Sequence, residues 1–116
     1  MPKFGHIIDA FLRELSDVVT RKPFSLTFGA AGDQAAWTPG SGKAVRVKLI
    51  SFESGADVQV GWRFGTTETV QACRTTKGPY VANFVGCNVQ GAVNEVLNIR
   101  AEGAVTVKGY ILGKEV

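Results

Sequence analysis

Residues that could do chemistry are few in this chain of 116 residues. There is one histidine, His6, and there are two cysteines, Cys73 and Cys87. Nucleophilic catalysis needs a nucleophile, a base and an orienting group held together. His6 stands at the start of an amphipathic segment, with no serine or cysteine placed to use it. The cysteine spacing forms no metal motif, and a lone histidine cannot complete one. Paired carboxylates for glycoside hydrolysis would sit on facing strands. The acids Asp33, Glu53, Asp57, Glu68, Glu95 and Glu102 fall mostly in turn-like stretches, where they serve turn chemistry and solubility. Gly61-Trp62-Arg63-Phe64-Gly65 has glycines but no helix after it, so it is not a phosphate loop. No catalytic, cofactor-binding or metal site is expected, and the chain is read as not an enzyme.

Aromatic residues carry a stronger signal, for binding. Trp37, beside Thr38 and Pro39, and Tyr80 are rings on which a sugar could stack. Trp62 lies on the apolar phase of its strand and reads as core. The plainer reading of Trp37 is a cap on one end of the fold.

Lysine and arginine outnumber acids 13 to 10. Arg46, Lys48, Arg63, Arg74, Lys77, Arg100 and Lys108 are scattered along the chain. A nucleic-acid binder would cluster them in a stripe with interleaved aromatics, so no nucleic-acid partner is expected. An adaptor for an acidic partner through Arg46, Lys48 and Arg63 would show strong salt dependence. Met1-Pro2-Lys3 leads into an amphipathic segment and not into an apolar signal core. No apolar run approaches the roughly 20 residues of a membrane span. In a reducing cytosol the cysteines are expected as two free, partly buried thiols.

The elements that would position these residues come in two kinds. The spacing predicts a helix over residues 6–21. At about 100° per residue, Phe4, Ile7, Ile8, Phe11, Leu12, Leu15, Val18 and Val19 share an arc of roughly 140°. Asp9, Arg13, Asp17 and Arg21 run down the other side, and Pro23 stops the helix. A helix this short is marginal alone in water, so its stripe must be buried. It can cover its own domain, or it can pack on sister copies or a larger partner. Phe4, Ile8, Phe11, Leu15 and Val18 follow 4-3-4-3 spacing, which fits a short helical bundle.

After Pro23 the period changes to 2. Phe24, Leu26 and Phe28 alternate with polar residues, as do Val45, Val47 and Leu49, and then Val58, Val60, Trp62 and Phe64. Between the first two runs, Gly29 to Gly42 reads as a loop of about fourteen residues. A short strand is expected near Thr69 to Cys73. Another covers Tyr80 to Val85, apolar on both phases. Asn94 to Leu112 reads as a β-hairpin, with Leu97, Ile99 and Ala101 facing Val105, Val107 and Ile111. A three-residue loop, Ala101-Glu102-Gly103, sets Ile99 against Val105, with Gly103 left-handed.

About seven or eight strands at intervals near ten residues, with no helices between them, indicate an antiparallel sandwich or small barrel. The expected fold is mainly β: a jelly-roll-like β-sandwich over residues 23–116, preceded by one amphipathic helix over residues 1–22. An immunoglobulin-like sandwich comes second, because its cysteine–tryptophan–cysteine order is absent.

Helix, then sandwich, then the ending Val105-Thr106-Val107-Lys108-Gly109-Tyr110-Ile111-Leu112-Gly113 resembles the small accessory proteins of tailed-phage virions. These include head decoration proteins and head-fibre or tail-associated modules. The resemblance covers the whole chain through its organisation, and no family site transfers residue by residue. It implies a non-enzymatic structural protein of the virion, made in the host cytoplasm. Homotrimers would attach to a capsid or tail protein by buried surface, with Phe4, Ile8, Phe11, Leu15 and Val18 at the interface. The alternative is a carbohydrate- or surface-binding sandwich, virion-borne or cytoplasmic, using Trp37, Tyr80 and nearby loops.

Overall fold

The computed structural model of the chain describes residues 19–68 and 70–116. It has nine strands there: β1 Thr20–Phe28, β2 Gly32–Trp37, β3 Val45–Ser54, β4 Val60–Phe64, β5 Gln71–Arg74, β6 Gly78–Asn83, β7 Val89–Gln90, β8 Leu97–Ala101 and β9 Val105–Glu115. The expected helix and the stripe from Phe4 to Val18 lie outside the described residues. Its expected last turn does not: Thr20, Arg21 and Lys22 are strand. Extended backbone lets Arg21 lie over the Tyr110 ring, 4.7 Å from its centroid, as β1 pairs with β9. Pro23 sits inside β1 without penalty because β1 is an edge strand, with a ladder on one side alone.

Every pairing is antiparallel, and the strands form two sheets. One has the order β1-β9-β3-β6, with β7 also on β3; the other has the order β2-β8-β4-β5. β6 pairs with β3 from Leu49 to Ser54 and β7 with Arg46 and Val47. They are two pieces of one edge strand, which leaves the ladder between them. One core draws on both sheets. Val47, Ile50, Phe52, Val107 and Ile111 come from the first, and Trp37, Val60, Trp62, Leu97 and Ile99 from the second.

The two long C-terminal strands are not a hairpin. β8 lies between β2 and β4, and β9 lies between β1 and β3 in the other sheet. Leu97, Ile99 and Ala101 do share a buried face, and so do Val105, Val107 and Ile111. The two faces meet across the core instead of side by side. Residues 102–104 carry the chain over, and Gly103 is not among the left-handed glycines.

Three more expectations change. The loop expected from Gly29 to Gly42 contains β2, which pairs with β8 from Gly32↔Ala101 to Trp37↔Leu97. In β3 the register shifts between Val47 and Leu49. That bulge flips the alternation, so Ile50 and Phe52 are buried while Leu49 is only half-buried. β6 is covered on one face, because Val81 is 61% exposed.

Candidate functional site

Three groupings of polar and aromatic side chains stand out from the framework. The first is on the polar face of β2, β8 and β4. Asp33 and Arg100 are directly paired across β2 and β8. The Arg63 guanidinium donates to both Asp33 oxygens, Nε to Oδ1 at 2.9 Å and Nη2 to Oδ2 at 2.7 Å. Arg100 adds a third bond to Oδ2 at 3.2 Å and reaches Glu102 through Nε at 3.0 Å. A bidentate fork of this kind is the strong form of the carboxylate–guanidinium contact. It tacks β2, whose middle carries only Ala35 and Ala36 as apolar residues, onto its sheet. Arg63 is thereby committed within the chain and is not offered to an acidic partner. Arg46 likewise donates to Gln90 Oε1 at 3.0 Å.

Arg63 beside Asp33 holds its carboxyl below the usual aspartate value; burial opposes this, and the Arg100 hydrogen bond adds a lesser lowering. A depressed folded pKa contributes stability that is complete above the unfolded value, about 3.8, and is lost as pH falls through the folded value. Asp33→Asn is therefore expected to lower stability at pH 7 by about 1 kcal/mol, a figure discounted because solvent reaches the guanidiniums. The gap to the parent protein should close as pH falls below about 4. Urea unfolding at several pH values checks this, and a constant gap would contradict it.

The second grouping surrounds Trp37. Its ring is 2% exposed and belongs to the core. Its N–H points to Glu115 Oε2 at 3.5 Å, and Glu115 Oε1 accepts from the Gly40 N–H. The Gly40 bond, more than the indole, holds the Glu115 carboxyl below its usual range. Trp37 is thus a buried anchor at one end of the fold and not a surface platform. Tyr80, on β6, lines a cleft whose described lining does not include Trp37, so that cleft does not bring the two expected contact residues together.

The third grouping is a cleft of about 450 Å³ between β4–β5 of one sheet and β6–β7 of the other. Trp62, Phe64, Tyr80 and Phe84 form its aromatic lining. Glu68, Gln71, Asn88 and Gln90 supply polar groups. Trp62 meets Phe64 edge-on at 5.9 Å and Phe84 at 5.7 Å, both T-shaped. Tyr80 packs on Phe52, centroids 5.1 Å apart. Gly91 has no side chain because a Cβ there would strike the Phe64 ring. Trp62 is 5% exposed, and its indole N–H is buried with no acceptor among the described residues. Such an orphan donor is uncommon and calls for a reason.

Trp62 takes its expected place in the core while its edge lines the cleft. Asn88 and Gln90 carried no signal in the sequence, since residues 86–92 have neither periodicity nor motif. Cys87 is a free thiol and is exposed, against the partly buried state expected for it. Among the described residues no cluster of His, Cys, Asp or Glu could hold a metal ion.

No family model and no curated protein matches the chain. Among solved structures it is similar to the crystal structure of the SPBc2 prophage-derived protein YomS. That match has 13% sequence identity, covers 82% of this chain and 96% of the other, and has a TM-score of 0.32. A likeness at that level carries no argument about fold or function.

Proposed function

We propose that this is a non-enzymatic assembly protein, a virion accessory subunit that acts by burying surface against sister copies and a capsid or tail lattice. The observation that carries the reading is where the apolar stripe joins the body. Phe4, Ile8, Phe11, Leu15 and Val18 precede the edge strand β1, and among the described residues the core is built from the strands of both sheets. Val19, the one described residue of the helical arc, is 38% exposed. A stripe with that much apolar area needs cover, and a partner supplies it.

The finer architecture in this reading is a jelly roll, and the strand order supports it. Counting β6 and β7 as one strand, the pairs β1·β9, β2·β8, β3·β6 and β4·β5 are nested in sequence. They make one long antiparallel ribbon. Wrapping the ribbon sets β9 beside β3 and β8 beside β4, so each sheet alternates between its two arms. In such a body β1 is an edge strand, and the N-terminal segment enters the fold there. The N-terminal segment is the assembly element, and three copies is the state that the virion resemblance implies.

Light scattering on the full chain tests this. A homotrimer has three times 12.4 kDa, about 37 kDa. Phe11→Ser with Leu15→Ser is expected to reduce that mass to the monomer while leaving the unfolding midpoint of the body unchanged. A monomeric parent protein, or an unchanged mass in the double variant, would overturn the reading.

A further inference from the structure

We propose that the outer face of the first sheet, around Leu49, Tyr110 and Leu112, receives the N-terminal stripe of a sister copy. This rests on the assembly reading above and names the surface on which the stripe is buried.

The face follows from the register. Ile50 pairs with Ile111, and both belong to the core. Alternation turns their neighbours the other way, so the pairs Leu49↔Leu112 and Ser51↔Tyr110 face outward. The same rows reach Arg21 and Pro23 on β1, and Asn83 and Val81 on β6. Leu49, Tyr110 and Leu112 are half-buried, and Val81 is exposed. A sheet with apolar side chains on both faces needs cover on both. All nine strands belong to the two sheets, so among the described residues no further element lies over this face. The second sheet differs, because its outer face carries the ion pairs of Asp33 with Arg63 and Arg100.

Length and charge choose the occupant. As a helix, residues 4–18 would rise about 21 Å. From Lys108 to Lys114, β9 spans about 20 Å. Residues 4–18 hold three acids, Asp9, Glu14 and Asp17, against one base, Arg13. On the face, Arg46 and Lys48 lead up to Leu49 along β3, and Arg21 lies opposite Leu112. An acid-rich amphipathic segment thus meets a face that is apolar in the middle and cationic at one end.

The join points to a sister's face and not to the chain's own. Only Val19 stands between Val18, the last residue of the stripe, and β1 at Thr20. Turning a helix back over the sheet it leads into requires a reversal, and helix–strand connections commonly take about 2–6 residues. The contact is heterologous, stripe to face, and three such contacts about one axis close into a ring.

The test uses the full chain carrying Leu15→Cys and Leu49→Cys, with the exposed Cys87 changed to Ser. Oxidation is expected to give covalent dimers and trimers, about 25 and 37 kDa on a non-reducing denaturing gel. Chains with either new cysteine alone should stay at 12.4 kDa. A link closed within one chain, at the monomer mass, would overturn the proposal, as would no link at all. Leu49→Asp is expected to reduce the light-scattering mass from trimer to monomer without moving the unfolding midpoint. Val93→Asp, exposed in the turn before β8, is the control and should keep the trimer. If Leu49→Asp stays trimeric, this docking face is wrong and the assembly reading stands. A monomeric parent protein overturns both. The cross-link puts no charge on the face, so it decides the matter if Leu49→Asp lowers the midpoint.

Discussion

Trp37→Ala is expected to lower the unfolding free energy by about 3–5 kcal/mol, the range for deleting a buried large aromatic. Total stabilities run at about 5–15 kcal/mol, so the variant should be folded only marginally at room temperature. The residue is 2% exposed and belongs to the core cluster that also holds Val45 and Val47. Lys22 Nζ lies 5.7 Å from its centroid, and its N–H faces Glu115. Alanine removes the volume and both polar contacts together, and the β2–β8 ladder ends at this residue. Trp37→Phe keeps most of the volume and should cost less than half as much. Urea denaturation of the two variants measures the difference. A ligand platform behaves differently, since cutting back an exposed ring leaves stability near the parent value. An unchanged midpoint in Trp37→Ala would return the residue to the surface and break the packing described for this end of the fold.

How far the sequence reached can be judged at particular strands. Alternation located β1, β3, β4, β8 and β9, because each has one face in a core and period 2 follows from that alone. It could not choose partners. The inward faces of β8 and β9 look the same whether the strands are neighbours or face each other across a core. The pattern supported a hairpin, and the chain crosses instead. β2 was invisible because Ala35 and Ala36 add little apolar signal. Its strand is made by distant partners, Asp33 on Arg63 and Arg100, and by Trp37 at its end. The β3 bulge at Lys48 is a single inserted residue, enough to reverse every later side chain. The cleft was hidden for the same reason as β2. Trp62 and Gln90 are far apart in sequence, and only the pairing of β6 and β7 on β3 carries one toward the other.

Gly109→Val tests the partner choice that local pattern could not make. β9 is paired on both sides, and Gly109 lies opposite Phe24 on β1 and Phe52 on β3. Its backbone is not left-handed, so the need for glycine is one of space. A Cβ at this position would run into the Ser51 carbonyl oxygen and lie 2.6 Å from Phe52 Cα and 2.7 Å from its Cβ. Backbone atoms cannot rotate out of the way as a side-chain tip can. β3 and β9 would have to part, losing ladder hydrogen bonds in the middle of the sheet. Overpacking usually costs about 1–3 kcal/mol, and a backbone clash in a central strand belongs at or above the upper end. Gly29→Ala is the matched control. Nothing lies within 4 Å of a Cβ there, and its φ is not positive. That change should leave stability equal or raise it by about 0.4–1 kcal/mol, through the lost freedom of the unfolded chain. If Gly109→Val unfolds at the same urea concentration as the parent, the Gly109↔Phe52 register is wrong. The hairpin of β8 with β9 would then regain its claim, since that arrangement leaves residue 109 without a strand pressed against it from β3.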